Sequence, residues 1–282
     1  MKTIPLIPAC QNMEELQKLT NLICEYVHPQ MIILFGYYAG MTIGNVLKGY
    51  ELLILTQEKP SVSYRALLQY LELHFHVADR REKNLGVYLY PLEFVKYKSV
   101  QSYFLTTIRQ EGLLLYKSEN CKLNERIRYK PIKALQQAEK SYQLAFELGK
   151  AFLDNARHNL ESGSCRLTAF HLYQSALQFI RAVNFVYYGF VLEERENLLI
   201  AFSRVRYCST ELMQLWEGDK ELAAWRLFGR LQSFDYQARF KEQFRIQENL
   251  LNRYVKQLQL LETVTEHFCT QRLKEMQILQ KL

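Results

Sequence analysis

The chain has 282 residues, 49% hydrophobic and 23% charged, with a net charge of +7 and a pI near 9.0. That balance excludes a disordered chain and allows one large core or two ordinary ones. The basic excess is mild, enough to point to an acidic partner and far from a histone-like composition. No run reaches the roughly 18 uninterrupted apolar residues of a membrane helix. Met1 to Pro8 lacks the apolar stretch of a signal peptide, and the six cysteines are scattered without a CxxC pair. The reading is a soluble, cytoplasmic protein with reduced thiols and no membrane partner.

Taken in order, Asn12-x-x-Glu15 resembles a capping box, opening a helix that runs to about Tyr26. Met31–Phe35 is a short apolar run ending in Gly36, as a buried strand would be. Leu52–Leu55 is a second such run, and Ser61 to about His76 has helical periodicity. Gly86–Tyr90 reads as a third strand ended by Pro91, Gln101–Gln110 as a helix, and Leu113–Tyr116 as a last strand. These make a small mixed sheet with helices on it.

All six prolines lie at or before Pro131, and the 151 residues beyond it have none. A proline-free stretch rich in Leu, Gln, Glu, Lys, Arg and Ala predicts an all-helical region. Its apolar spacing places helices at about 132–160, 165–188, 193–206 and 209–230, with a break at Gly218-Asp219, and a last one at about 243–280. Leu250, Leu251, Tyr254, Leu258, Leu261 and Val264 form the inward stripe of that last helix. Residues 1–125 carry 13 basic and 12 acidic side chains and residues 126–282 carry 23 and 17, so the basic excess belongs to the helical part. The predicted class is α+β: an N-terminal mixed α/β domain, 1–125, followed by an up-and-down helical bundle, 126–282.

One constellation suggests chemistry. The turn Phe35-Gly36-Tyr37-Tyr38-Ala39-Gly40 follows a strand, and a second strand begins Gly49-Tyr50-Glu51. A side-chain-free turn lets backbone N–H groups hold phosphate, and carboxylates on alternate strand residues project from one face to hold metal ions. In this arrangement the sequence resembles the minimal nucleotidyltransferases, whose turn is Gly-Ser and whose strand carries Asp-x-Asp. Phe104 to Tyr116 looks like the helix–Gly–strand that closes such domains. The following region is similar to HEPN (higher eukaryotes and prokaryotes nucleotide-binding) domains, through its long first helix and the segment Ala169-Phe170-His171-Leu172-Tyr173-Gln174-Ser175-Ala176. Together the resemblance covers about residues 30–275.

The departures weigh more than the matches. Set on the family pattern, Tyr37 stands where the phosphate-holding Ser belongs and Gly49 where the first metal-binding Asp belongs. Only Glu51 remains of the pair, and Val87-Tyr88-Leu89 lacks the third acid. One carboxylate cannot hold two cations, so Gly36, Tyr37 and Glu51 read as vestiges and Glu51 as a solvated strand-end acid. Active HEPN ribonucleases use an Arg and a His, four to six residues between them, near the start of the last long helix. Phe234–Arg245 occupies that place here, with Arg239 but no His. Arg166 and His171 have the spacing, but in the second helix, where residues five apart diverge by about 140°. The plainer reading has His171 packed in the bundle or a subunit interface and Arg166 facing solvent.

Other candidates are weaker. His74 and His76 lack supporting ligands, and Gly36-x3-Gly40-x3-Gly44 lacks the Lys-Ser/Thr of a P-loop, so no metal site or ATPase is expected. Arg239, Lys241 and Arg245, with Tyr236 and Phe240, are the phosphate-binding candidates, set against a helix entry held in salt bridges. The expected function is non-catalytic: binding of a nucleotide, RNA or protein partner, as a homodimer through the helical half, without a cofactor. The resemblance implies a toxin–antitoxin or stress setting. The alternatives are an AMP-transferring enzyme using Glu51 and Mg²⁺, and a metal-independent ribonuclease.

Overall fold

Two wholly buried strands form the centre of the first of two units into which the chain divides, Met1–Tyr129 and Lys130–Leu282. The computed structural model describes residues 13–41, 49–75, 84–99, 102–121, 129–189, 197–205, 208 and 220–279. Strands β1 (Met31–Phe35) and β2 (Gly49–Thr56) pair antiparallel, β2 pairs parallel with β3 (Asn84–Pro91), and β1 pairs antiparallel with β4 (Leu113–Lys117). The order is β3-β2-β1-β4, a mixed sheet. β1 and β2 are apolar almost without alternation because helices cover both of their faces.

Helices α1 (Met13–Val27) and α2 (Tyr64–His74) cover one face, where Leu16, Leu19, Ile23, Leu67 and Leu71 meet Ile32, Leu34, Tyr50, Leu52 and Ile54. Ser63 opens α2 by accepting the Ala66 N–H at 3.1 Å, two residues past the start expected from periodicity. Glu15, expected in a capping box, accepts the Tyr50 hydroxyl at 2.6 Å, and Asn12 lies outside the described residues. The opposite face receives α3 (Leu92–Ser99) and α4 (Tyr103–Glu111). The sequence reading did not foresee α3: only Leu92, Val95 and Ser99 are buried on its eight residues, too short a stripe for a periodic signal.

The second unit is helical: α5 (Pro131–Glu161), α6 (Cys165–Tyr188), α7 (Leu198–Val205), α8 (Lys220–Phe240) and α9 (Glu248–Leu279). Pro131 starts α5 at the position where a missing N–H costs nothing, and Gly163 turns the chain with φ 74° between α5 and α6. Of the helix expected over 209–230, residues 220–230 are helical in α8, which continues to Phe240 because Leu227, Leu231, Asp235 and Ala238 prolong its buried stripe, while 209–219 lie outside the described residues. The break at Gly218-Asp219 lies outside the described residues, and the last helix begins at Glu248 instead of 243. Along α9, Leu251, Tyr254, Leu258 and Leu261 are buried as expected, whereas Leu250 and Val264 are half-buried and Thr265 takes an inward place. Among the described residues no helix is long and apolar enough to cross a membrane. The architecture is α+β, a small mixed sheet followed by helices.

Gly149 on α5 faces the Phe179 ring of α6, and a Cβ there would lie 2.7 Å from Cδ1 and Cε1. Ala would gain about 1 kcal/mol in helix propensity. Overpacking against a fully buried ring costs about 1–3 kcal/mol, so packing wins. Urea unfolding of Gly149→Ala should show a net loss of up to about 2 kcal/mol.

Candidate functional site

The glycine turn of the first unit is closed on itself. Gly36 and Gly40 sit at φ 77° and 69°, and Tyr37–Ala39 forms a single 3-10 turn. The Gly36 carbonyl accepts from Ala39 N at 3.1 Å and from Met41 N at 3.2 Å. Those two amides, which a phosphate-holding turn would present outward, are used within the loop. Residues 42–48, including Gly44, lie outside the described residues.

Glu51 is not the solvated strand-end acid expected from the sequence; it is 0% exposed. Register explains why. It lies opposite Phe35 on β1 and Gly86 on β3, on the face covered by α4. Phe35, Tyr88 and Phe104 form a cluster there, with ring centroids 5.3 to 5.9 Å apart. The carboxylate lies over Gly86, so closely that a Cβ at that residue would stand 2.0 Å from Oε2. The absent side chain of Gly86 is therefore what accommodates Glu51. On the other face, the buried Tyr50 ring packs 5.0 Å from Tyr38, and burial together with the Glu15 carboxylate raises its pKa. Among the described residues no group of three or more His, Cys, Asp or Glu gathers as a metal ion would require.

In the second unit, Arg166 does not face open solvent. Its guanidinium donates to the carbonyls of Ala238 at 3.0 Å and of Lys241 and Glu242 at 2.8 Å, and lies over the Phe244 ring. It closes the C-terminal end of α8, where unpaired carbonyls and the helix dipole favour a cation. His171 points elsewhere. Asn159 Nδ2 lies 3.1 Å from its Nδ1, and its ring packs between Phe152 and Phe170. Burial lowers its pKa, against a hydrogen bond to the Asn155 backbone carbonyl that raises it. The two residues with ribonuclease spacing are thus engaged in separate structural contacts.

Phe234–Arg245, expected to open the last helix, instead forms the last turns of α8 and the connection to α9. Arg239 pairs with buried Asp235 and lies 5.1 Å from the Phe240 ring. Arg239 is thus held by an ion pair at the end of a helix, not at the entry of one. Lys241 and Arg245 are exposed, with no ion pair among the described residues. Tyr236 and Phe240 are 56% and 63% exposed, their rings 5.3 Å apart. The structure thus gathers two open aromatic rings and three cations at one helix end. Arg226 and Arg230, further back on the same helix, escaped the sequence reading. Both lie within the helix expected over 209–230, and their four-residue spacing, which places them on one face, was the available signal.

No protein-family model matches the chain, and no curated protein matches it. Among solved structures the chain is similar to a nucleotidyltransferase-like protein from Exiguobacterium sibiricum 255-15, with 12% identity over 92% of this chain and 78% of that one. The TM-score is 0.29, and a likeness that loose carries no argument about fold or activity.

Two outcomes follow from these contacts. Gly86→Ala drives a methyl into the Glu51 carboxylate, and should lower unfolding stability by about 1–3 kcal/mol in urea titration. His171 stays neutral in the fold below the pH at which the unfolded chain protonates. Its contribution is fully present above about pH 6.5 and declines as pH falls toward the lowered folded value. His171→Gln should flatten that part of the stability–pH curve, measured by thermal melts.

Proposed function

We propose that the chain is a non-catalytic binding protein for single-stranded RNA, of the nucleotidyltransferase–HEPN type. The observation that carries this reading is the end of α8, where Tyr236 and Phe240 stand open beside Arg239, Lys241 and Arg245. Exposed rings are platforms on which bases stack, and flanking cations attract the phosphate backbone. Arg239 contributes through its ring contact and its fixed position, held by Asp235; Lys241 and Arg245 supply charge still open to an anion.

The first unit supports the non-catalytic part. At the position of the transferase acids, Glu51 lies within the core beside Phe35, Gly86 and Tyr88, and the neighbouring turn spends its amides on Gly36. In this reading the fold works without a cofactor, and the sheet domain serves as a scaffold.

Fluorescence anisotropy with labelled single-stranded RNA tests it. Binding should weaken with salt, with a slope of about −0.7 per phosphate contact. Tyr236→Ala with Phe240→Ala should lower affinity by about tenfold to a hundredfold. No binding at low salt, no effect of the double variant, or Mg²⁺-dependent label transfer from α-phosphate-labelled ATP would overturn the proposal.

A further inference from the structure

A furrow of about 280 Å³ opens between α8 and α9, lined by Arg226, Leu227, Arg230, Tyr254 and Gln257. Both helices pack on α6, which leaves this gap between their outer edges. Leu227 and Tyr254 are buried and make an apolar floor, and Tyr254 meets Phe234 edge-on at 5.6 Å. Arg226, Arg230 and Gln257 are exposed at the rim. An apolar base with a few polar groups at its mouth is the usual make-up of a small-ligand site.

The charge is the informative part. Arg226 and Arg230 are one turn apart on α8, and among the described residues no acid lines the furrow and neither guanidinium pairs with a carboxylate. Like charges at this spacing repel, a cost that an anion between them removes. Their Cβ atoms stand about 5–6 Å apart at that spacing. Two guanidinium forks at that separation can converge on the oxygens of one phosphate. The volume sits at the lower edge of small-ligand pockets, room for one nucleotide and too little for a dinucleotide.

The furrow is also continuous with the aromatic end of the helix. Arg226, Arg230, Ser233, Gln237 and Phe240 fall within about 80° around α8, and Phe240 lies about 15 Å along the axis from Arg230. Between Arg226 and Phe240 the single acid, Asp235, is buried, so this outer face carries no negative charge.

From this geometry we infer that the furrow binds one ribonucleotide unit, its phosphate held between Arg226 and Arg230 and its nucleoside against Tyr254. The role of the furrow as a station on a longer strand rests on the RNA reading above; the phosphate site does not. Calorimetric titration of the full chain with uridine 5′-monophosphate, inorganic phosphate and uridine tests the site. Anisotropy with an oligouridylate about twelve nucleotides long tests the strand. The monophosphate should bind, phosphate more weakly, and uridine not measurably.

Arg226→Gln with Arg230→Gln should weaken the monophosphate at least tenfold, since hydrogen bonds to charged groups are the stronger kind. Both arginines are exposed, so this variant should fold with an unchanged melting curve. Tyr236→Ala with Phe240→Ala should leave the monophosphate unaffected while weakening the oligomer. Absent monophosphate binding, or binding indifferent to the two arginines, overturns the furrow whatever the oligomer does. Arginine-dependent monophosphate binding with no oligomer binding upholds the furrow and overturns the strand reading.

Discussion

Helix α6 is buried around most of its circumference, and the second unit is organised by that constraint. Ala169, Leu172, Ala176, Phe179, Ile180 and Val183 leave it no solvent face to speak of. Every neighbouring helix must then turn its own apolar stripe inward to cover it. α5 does so through Gly149 and Phe146, the latter with its ring 5.6 Å from Phe179. α8 and α9 approach from other sides, so their outer edges diverge and a furrow remains between them. Arg166, at the start of α6, then fastens the far end of α8 by its last carbonyls. The open rings of Tyr236 and Phe240 are thus presented from a helix held at that end.

The first unit makes the opposite use of its best-known-looking feature. A strand, a glycine turn and a strand carrying an acid suggest an open site, yet the sheet face bearing that acid is roofed by α4. Phe35, Tyr88 and Phe104 need the space, and Gly86 yields just enough of it for the Glu51 side chain. Burial of an acid in such a place is costly, so the position tolerates little change around it.

Much of the fold was legible because apolar runs and periodicity are local signals. β1, α5 and α6 were placed within a residue or two, since Gly36, Pro131 and Gly163 mark their ends chemically. The eight residues of α3 were not, and α8 was shifted, because Gly229 and Arg230 interrupt a stripe that resumes at Leu231 and Asp235. The candidate site was less legible still. That Glu51 is buried depends on Phe104, more than fifty positions away in the chain, and that Arg166 closes α8 depends on carbonyls more than seventy positions away. Neither spacing leaves a trace in a local pattern. The exposure of Tyr236 and Phe240 likewise depends on which side of α8 meets α6, a tertiary fact.

The strand order has a bearing on how the chain acquires its shape. β1 sits between β2 and β4, and Met31 pairs with Lys117, so its second edge waits for a partner made much later in synthesis. The parallel β2–β3 pairing likewise closes a long loop before any bond is gained. The α5–α6 hairpin draws instead on contacts between near neighbours across Gly163. On refolding, the helical half should therefore assemble quickly and the sheet slowly, with β1 offering an unpaired apolar rim to chaperones, or to other chains, in the meantime.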